Sequence, residues 1–182
     1  MKLTGKRFAT TRRLIASLLL AIMSTASAYA TCATDICLGP CTYEELLVDT
    51  KFSGNCGEWV RSNNVNLSRV QNGSNWLYEL RGSGYLTQNV ITNTYSSMDI
   101  GFDCFIIKTN PGTERLYVEI TRGTTVLETV AVIYPNATQT DYGMYIANYS
   151  DDVITVRFRY EPGSAPGDTK FRIDNAVLFG NF

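Results

Sequence analysis

The sequence predicts an all-β fold, an antiparallel β-sandwich of the jelly-roll kind. Apolar and polar residues alternate with a period of two in several segments, a pattern typical of strands with one face in the core and one in water. Turns rich in Gly, Asn, Asp and Pro separate these segments. Beyond residue 30, no window keeps a helical period of 3.6 residues over three turns. About eight to ten short strands at this spacing indicate a sandwich.

The first 30 residues have the pattern of a secretory signal peptide. Five Lys and Arg residues precede an apolar stretch, which ends in the small-x-small sequence Ala28-Tyr29-Ala30. A retained membrane anchor is the less favoured alternative, because the stretch is shorter than the roughly 20 residues that span a bilayer. We therefore expect cleavage after residue 30, no membrane span, and a secreted protein, either extracellular or periplasmic.

Charge and composition exclude several classes of function. Five of the sixteen Lys and Arg residues lie in the predicted signal peptide, so eleven remain against seventeen acidic residues, a net charge of −6. Such a surface repels phosphate backbones, so nucleic acid is not an expected partner. The chain contains no His, which excludes Ser-His and Cys-His nucleophiles, His-ligated zinc and a His general base. The sequence predicts a protein that is not an enzyme.

The cysteines predict an irregular, disulfide-tied arm at residues 31–43. In an exported protein disulfides are expected, and the candidates are Cys32, Cys37, Cys41 and Cys56. A zinc site of four thiolates is the alternative, but the spacing lacks the paired C-x₂-C knuckles of zinc ribbons. Because the total of five is odd, at least one thiol is left unpaired or available to another chain.

The strands are predicted in order from Glu44 onward, and residues 44–182 form the predicted binding domain. The first, 45–52, ends at Ser53-Gly54-Asn55, and two more flank Gly82-Ser83-Gly84. The predicted strands are 45–52, 76–81, 85–92, 98–108, 116–121, 125–134, 143–147, 154–160 and 169–179. In 98–108, Cys104 alternates with Ile100, Phe102 and Ile106, so we expect a buried free thiol that faces the core.

Motifs at both ends of this domain resemble a known family. Glu44-Glu45-Leu46, Phe52-Ser53-Gly54 and Gly57-Glu58-Trp59 resemble the opening of carbohydrate-binding modules with the galactose-binding-like jelly roll. The run from Thr169 to Leu178 is similar to their closing strand, aromatic-x-Ile-Asp-Asp/Asn-Val-x-Leu, although Ala176 intervenes before Val177. The similarity covers roughly residues 44–180. It implies a non-catalytic domain whose partner is a carbohydrate or glycoconjugate.

The resemblance also implies a structural calcium ion. In such modules an Asp of the closing strand and an acidic residue near the first strand often hold it. The corresponding ligands are Asp174 with Glu45 or Asp49, and Ca²⁺ accepts such oxygen ligands. The alternative is that Asp174 only caps a bulge through hydrogen bonds to backbone amides.

Sugar recognition requires aromatic rings for the apolar faces of pyranoses and polar groups for their hydroxyls. The outward strand positions predict a site made of Tyr117, Glu119, Arg157 and Arg159, with Glu79 and Arg81 on the same side, and Tyr145 is added to this site as an aromatic candidate. Further aromatic candidates are Tyr85, Tyr149 and Trp59, the last being more typical of a core. Arg157 and Arg159 are equally suited to cross-strand pairs with Glu119 and Glu79.

A structural or adhesive subunit is the competing hypothesis. Such a surface, matrix or fibre protein would self-associate through its Cys-rich arm, using the odd cysteine or strand donation. Hydrolysis of glycosides needs two carboxyl groups across a cleft, and no motif of the sequence indicates such a pair.

Overall fold

The computed structural model describes residues 43–48, 50–52, 59–62, 67–92, 95–108, 112–147, 149, 152–163 and 168–182. The predicted signal peptide, the four candidate disulfide cysteines and Asp49 lie outside these residues, as does the arm apart from Tyr43. These parts of the sequence analysis therefore stay predictions. A search of the described residues found no helix that is long and apolar enough to cross a membrane.

Strands and turns make up the regular structure of the described residues. The strands are β1 (Tyr43–Glu45), β2 (Val60–Arg61), β3 (Leu67–Asn72), β4 (Asn75–Leu80), β5 (Gly84–Thr92), β6 (Ser97–Lys108), β7 (Arg115–Arg122), β8 (Thr125–Ile133), β9 (Asp141–Ile146), β10 (Asp152–Glu161) and β11 (Thr169–Asn181).

Two antiparallel sheets form a sandwich, which confirms the predicted fold class. Sheet 1 has the order β3-β4-β11-β6-β9, and β1 pairs with the last residues of β11. Sheet 2 has the order β2-β5-β10-β7-β8. Strands distant in sequence are thus hydrogen-bonded neighbours, and β10 places its outward side chains between those of β5 and β7.

The alternating apolar residues of the two sheets form one core. Phe158 of β10 is fully buried, with its ring centroid 5.3 Å from that of Phe102 on β6 and 6.0 Å from that of Trp59. Trp59 is therefore a core residue and not a sugar platform. Cys104 is free and buried beside Ile100 and Phe102, as predicted, and burial raises the pKa of its thiol to about 12.

The predicted strand 45–52 is wrong beyond its first residue. Strand β1 ends at Glu45, and Val48 is hydrogen-bonded instead by a side chain from the other sheet. The Val48 amide donates to Oε1 of Gln88 (2.7 Å), and Nε2 of Gln88 donates to the Val48 carbonyl (2.8 Å). Since one buried amide side chain satisfies both backbone groups, this residue needs no neighbouring strand.

Strands β2 and β3 were not predicted. Strand β3 reads Leu-Ser-Arg-Val-Gln-Asn, with a single buried residue, and gives no clear alternation. Its structure comes from pairing with β4 through the tight turn at Gly73, whose φ of 63° is in the left-handed region that favours glycine. Pairing thus overrides a weak local pattern.

The last strand contains a bulge where the family pattern is interrupted. The register with β6 shifts between Asp174 and Val177, and Asn175 has a φ of 47°. One oxygen of Asp174 accepts a hydrogen bond from the Asn175 amide at 2.9 Å. A bulge of this kind lets Ala176 and Leu178 return to the core face, where both are fully buried.

The close packing of β11 against Tyr95 gives a test of the fold. A Cβ at Gly180 would lie 2.6 Å from the Tyr95 ring, so Gly180→Ala is expected to lower the free energy of unfolding by about 2 kcal/mol in urea denaturation. The control is Gly143→Ala, whose added Cβ meets no atom within 4 Å. Equal stability of the two variants would contradict the packing of Tyr95 against β11.

Candidate ligand-binding face

The outer face of sheet 2 brings together four of the five predicted ligand-binding residues. Strand register places Arg159 of β10 between Tyr85 of β5 and Tyr117 of β7. In the next row, Arg157 lies directly opposite Glu119. We call this set the arginine face: Tyr85, Tyr117, Glu119, Arg157 and Arg159.

Glu119 is the buried anchor of this face. Its carboxylate is only 2% exposed and binds both arginines. Arg157 donates through Nε at 2.8 Å, and Arg159 donates through Nη2 at 2.9 Å. The structure therefore shows the alternative in which Arg157 and Arg159 form cross-strand ion pairs with Glu119. Glu119 positions the two guanidinium groups and is not itself exposed to solvent.

The charge of Glu119 is stabilised by these contacts. Burial alone would raise its pKa, but hydrogen bonds and attraction from Arg159 and Arg157 outweigh burial and hold the pKa below its ordinary value. The carboxylate is thus ionised at neutral pH and cannot serve as a proton donor there.

Tyr117 is held by two arginines. The guanidinium of Arg159 lies over its ring, 4.3 Å from the centroid, and Arg115 donates to its hydroxyl at 3.3 Å. Such cation–π contacts fix both the ring and the guanidinium. Glu161, at the end of β10, accepts a hydrogen bond from Nη1 of Arg159 at 3.0 Å. The ring is therefore presented in a defined orientation.

The second aromatic residue of the face is Tyr85. It is 41% exposed and lies opposite Arg159 on β5, on the side away from Tyr117. Because neighbouring strands are about 4.8 Å apart, the two tyrosines are on the order of 10 Å apart across the sheet. Further along the face, the Thr155 hydroxyl donates to Oδ1 of Asn89 at 2.8 Å. The face thus combines two rings with charged and neutral polar groups.

Three other predicted residues lie elsewhere. Glu79 belongs to sheet 1, where Arg172 donates to it at 2.9 Å and Lys170 is 3.8 Å away, so its predicted place beside Arg157 and Arg159 is wrong. Arg81 follows β4, also in sheet 1, and is exposed. Tyr149 donates to Oε2 of Glu128 at 2.9 Å, away from the arginine face.

Tyr145 lies on the outer face of sheet 1. It is 64% exposed and borders a shallow groove of about 330 Å³ above the paired glycines Gly101 and Gly143. Val177 and Phe179 line the opposite side. Tyr145 was predicted to share a site with the residues of the arginine face, but its strand, β9, belongs to the other sheet.

Sequence reasoning missed a pocket at one end of sheet 2. It has a volume of about 340 Å³ and is lined by Gly112, Thr113, Arg115, Tyr134, Pro135 and Asn136. A signal was present, since the predicted strands 116–121 and 125–134 are separated by only three residues, and a hairpin of the two brings its free ends together. Arg115 joins this pocket to Tyr117 of the arginine face.

The proposed calcium ligands do not converge among the described residues. No group of three or more Cys, Asp or Glu side chains suited to a metal lies there. Glu45 pairs with Phe179, which pairs in turn with Asp99 of β6, whereas Asp174 pairs with Asp103 of β6. Asp99 and Asp103 are four residues apart, or about 13 Å. Burial raises the pKa of Asp174, and its oxygen caps the bulge. These two residues do not fit a shared ion.

Comparison with known proteins gives similarity of structure and not of sequence. No family model matches the chain, and the search of curated proteins gave no match. A family 61 carbohydrate-binding module, solved in complex with β-1,4-galactotriose, superposes with a TM-score of 0.55 at 14% identity, over 76% of this chain and 99% of that chain.

Two further modules align less closely. A mutant of a family 29 module has a TM-score of 0.49 at 14% identity, over 76% of this chain and 91% of that chain. A family 35 module from Clostridium thermocellum has a TM-score of 0.46 at 12% identity, over 78% of this chain and all of the other. The two-sheet topology and the superposition on the family 61 module agree with the resemblance in the sequence. The chain therefore has the antiparallel β-sandwich fold of a carbohydrate-binding module.

Proposed function

We propose that the protein is a secreted, non-catalytic glycan-binding module that binds its ligand on the arginine face. The observation that supports this most strongly is the row Tyr85–Arg159–Tyr117, two tyrosines on either side of an arginine on the outside of one sheet. Rings of this kind pack against the apolar faces of sugars, and guanidinium groups donate to hydroxyl oxygens.

The rigidity of the face supports binding as well. Arg157 and Arg159 are both held by one buried carboxylate, and Arg159 is also held by the Tyr117 ring. Groups that are fixed before the ligand arrives lose less conformational entropy on binding. The family 61 module that shares this fold was solved with a bound β-1,4-galactotriose, which makes a galactan a reasonable first ligand to test.

The chemistry of the face favours binding over catalysis. Cleavage of a glycosidic bond requires a carboxylic acid with a raised pKa and a second carboxylate nearby. Here the pKa of Glu119 is lowered, and both of its oxygens are bound by arginines. The sequence contributes no His that could replace it.

Truncating one ring tests the proposal. Tyr117→Ala is expected to weaken retention in affinity electrophoresis by about tenfold or more, since losing one buried aromatic contact costs about 1.4 kcal/mol or more. The measurement compares wild-type residues 31–182 with the variant in gels that contain β-1,4-galactan, xylan, mannan or other polysaccharides.

Tyr145→Ala is the matched control, because it removes the same side chain from the outer face of the other sheet. It is expected to leave retention unchanged. A loss confined to Tyr145→Ala would place the site on sheet 1 and contradict the proposal. Absence of retention of the folded wild-type protein on every polysaccharide would contradict glycan binding itself.

A further inference from the structure

The pocket at the end of sheet 2 differs in character from the arginine face beside it. It lies between Gly112 and Thr113, which precede β7, and the segment Tyr134–Asn136, which follows β8. Its volume of about 340 Å³ is at the lower end of the range for small-molecule sites. This is room for a single sugar residue or a substituent on it, and not for a long stretch of polymer.

One cation, Arg115, lines this pocket, and a second, Lys108, does not line it but binds one of the lining residues. Arg115 lines it, with the guanidinium 5.3 Å from the centre of the Tyr134 ring. Lys108, at the end of β6, donates from Nζ to the carbonyl of Pro135 at 2.9 Å. Within the described part of the chain, neither cation forms a salt bridge with a carboxylate. Arg115 thus brings a positive charge to this pocket, on a protein whose chain beyond residue 30 has a net charge of −6.

Two carboxylates lie beside Arg115, and neither forms a salt bridge with it, although Oε1 of Glu114 is buried without a hydrogen-bond partner among the described residues. Glu161 is opposite Arg115 in the register of β10 and β7, but its Oε2 binds Nη1 of Arg159 at 3.0 Å. Glu114 is buried and does not line the pocket. Its Oε2 accepts hydrogen bonds from the Gly112 amide at 3.0 Å and from the Thr169 hydroxyl at 3.2 Å. Glu114 thereby fixes the turn that forms one wall.

We propose that this pocket binds the anionic group of an acidic glycan, a sugar carboxylate or a sulfate ester, while the rest of the glycan lies on the arginine face. This inference rests on the proposed function and adds the class of ligand. Arginine pairs with such groups through two parallel hydrogen bonds, which a neutral hydroxyl does not replace. Tyr134 supplies a ring beside the anion, and Arg115 connects the pocket to Tyr117.

The test compares each charged polymer with its neutral counterpart. Polygalacturonate is paired with its carboxyl-reduced form, and a sulfated galactan with its desulfated form, in affinity electrophoresis at fixed ionic strength. We expect about tenfold tighter binding of the charged member in at least one pair, as one charge-assisted contact provides. Arg115→Gln is expected to abolish that preference, so that the variant binds the charged and the neutral member of the pair equally, whatever its affinity for the neutral member. Which pair shows the preference separates the carboxylate from the sulfate ester.

Arg61→Gln is the matched control, because it removes the same charge from an exposed position on β2, at the other edge of sheet 2. It is expected to keep the full preference. Equal binding of the charged and neutral members, a preference that survives Arg115→Gln, or an equal loss in Arg61→Gln would overturn the inference. If Tyr117→Ala still weakens binding of the neutral polymer in those cases, the proposed function stands. If the folded protein binds no polymer, the proposed function and this inference both fail.

Discussion

Glu119→Gln is expected to destabilise the protein by about 2–3 kcal/mol and to weaken glycan binding together with it. Removing one partner of a buried ion pair costs about 3–5 kcal/mol, because the remaining charge is left without compensation. The side chains of Arg157 and Arg159 are 16% and 31% exposed, so both can turn partly into water, and we expect a smaller cost. Urea denaturation at neutral pH measures this loss.

Glu161→Gln is the control for charge removal on the same face. Glu161 is 44% exposed and binds only one of the same two arginines, Arg159, so its loss is expected to cost less than about 1 kcal/mol. Equal destabilisation by the two substitutions would show that Glu119 is not the anchor of the face. Binding data then show whether glycan affinity depends on how the guanidinium groups are held, since Glu119→Gln keeps both tyrosine side chains but frees Arg157 and Arg159.

The same carboxylate predicts how stability depends on pH. Its pKa in the folded state lies below its ordinary value of 4.5. The folded state therefore binds this proton more weakly than the unfolded state does. The contribution of Glu119 to stability is complete above about pH 4.5 and is lost as the pH falls through the lower folded pKa.

The difference between wild type and Glu119→Gln isolates this contribution. Asp174 acts in the opposite direction, because burial raises its pKa and protonation then favours the folded state. It is present in both proteins and cancels in the difference. We expect the stability gap between the two proteins to be constant from pH 7 to about pH 5 and to shrink below about pH 4.5. A gap that grows as the pH falls would contradict the lowered pKa.

Much of the fold was predictable because several strands alternate without interruption. The predicted strands 85–92 and 98–108 differ from β5 and β6 by a single residue at one end. The alternation of apolar and polar residues does not predict a strand whose structure depends on pairing with a neighbouring strand. Strand β3 is defined by pairing with β4, and residue 48 takes its hydrogen bonds from the Gln88 side chain.

The residues that make up the arginine face were predictable in part, for a related reason. Alternation shows which residues share one face of a strand, so Tyr117 with Glu119 and Arg157 with Arg159 were placed correctly. It does not show which sheet a strand joins. Glu79 and Tyr145 were assigned to the same site, but β4 and β9 belong to sheet 1, where Glu79 is only 5% exposed. The pocket at Arg115 lies where the two free ends of the β7–β8 hairpin meet. The alternation within a single strand does not indicate such a pocket.

Phe158→Ala is expected to lower the free energy of unfolding by about 3–5 kcal/mol, the range for emptying a buried phenylalanine site. Phe158 is fully buried and contacts the rings of Trp59 and Phe102, so no neighbour can move into the cavity without breaking another aromatic contact. A loss of this size is a large part of the stability of an ordinary domain. Thermal melting followed by circular dichroism measures it.

The effect on binding follows from the position of Phe158 between the two arginines. Arg157 and Arg159 point outward from the same strand on which Phe158 points inward, so the core contact fixes the strand that presents the face. Phe105→Ala is the control, since that ring is 40% exposed on sheet 1 and its loss is expected to cost less than about 1 kcal/mol. If Phe158→Ala were as stable as Phe105→Ala, the packing of β10 against β6 would be wrong. If it folded at low temperature and kept full glycan retention, the arginine face would not depend on the core beneath it.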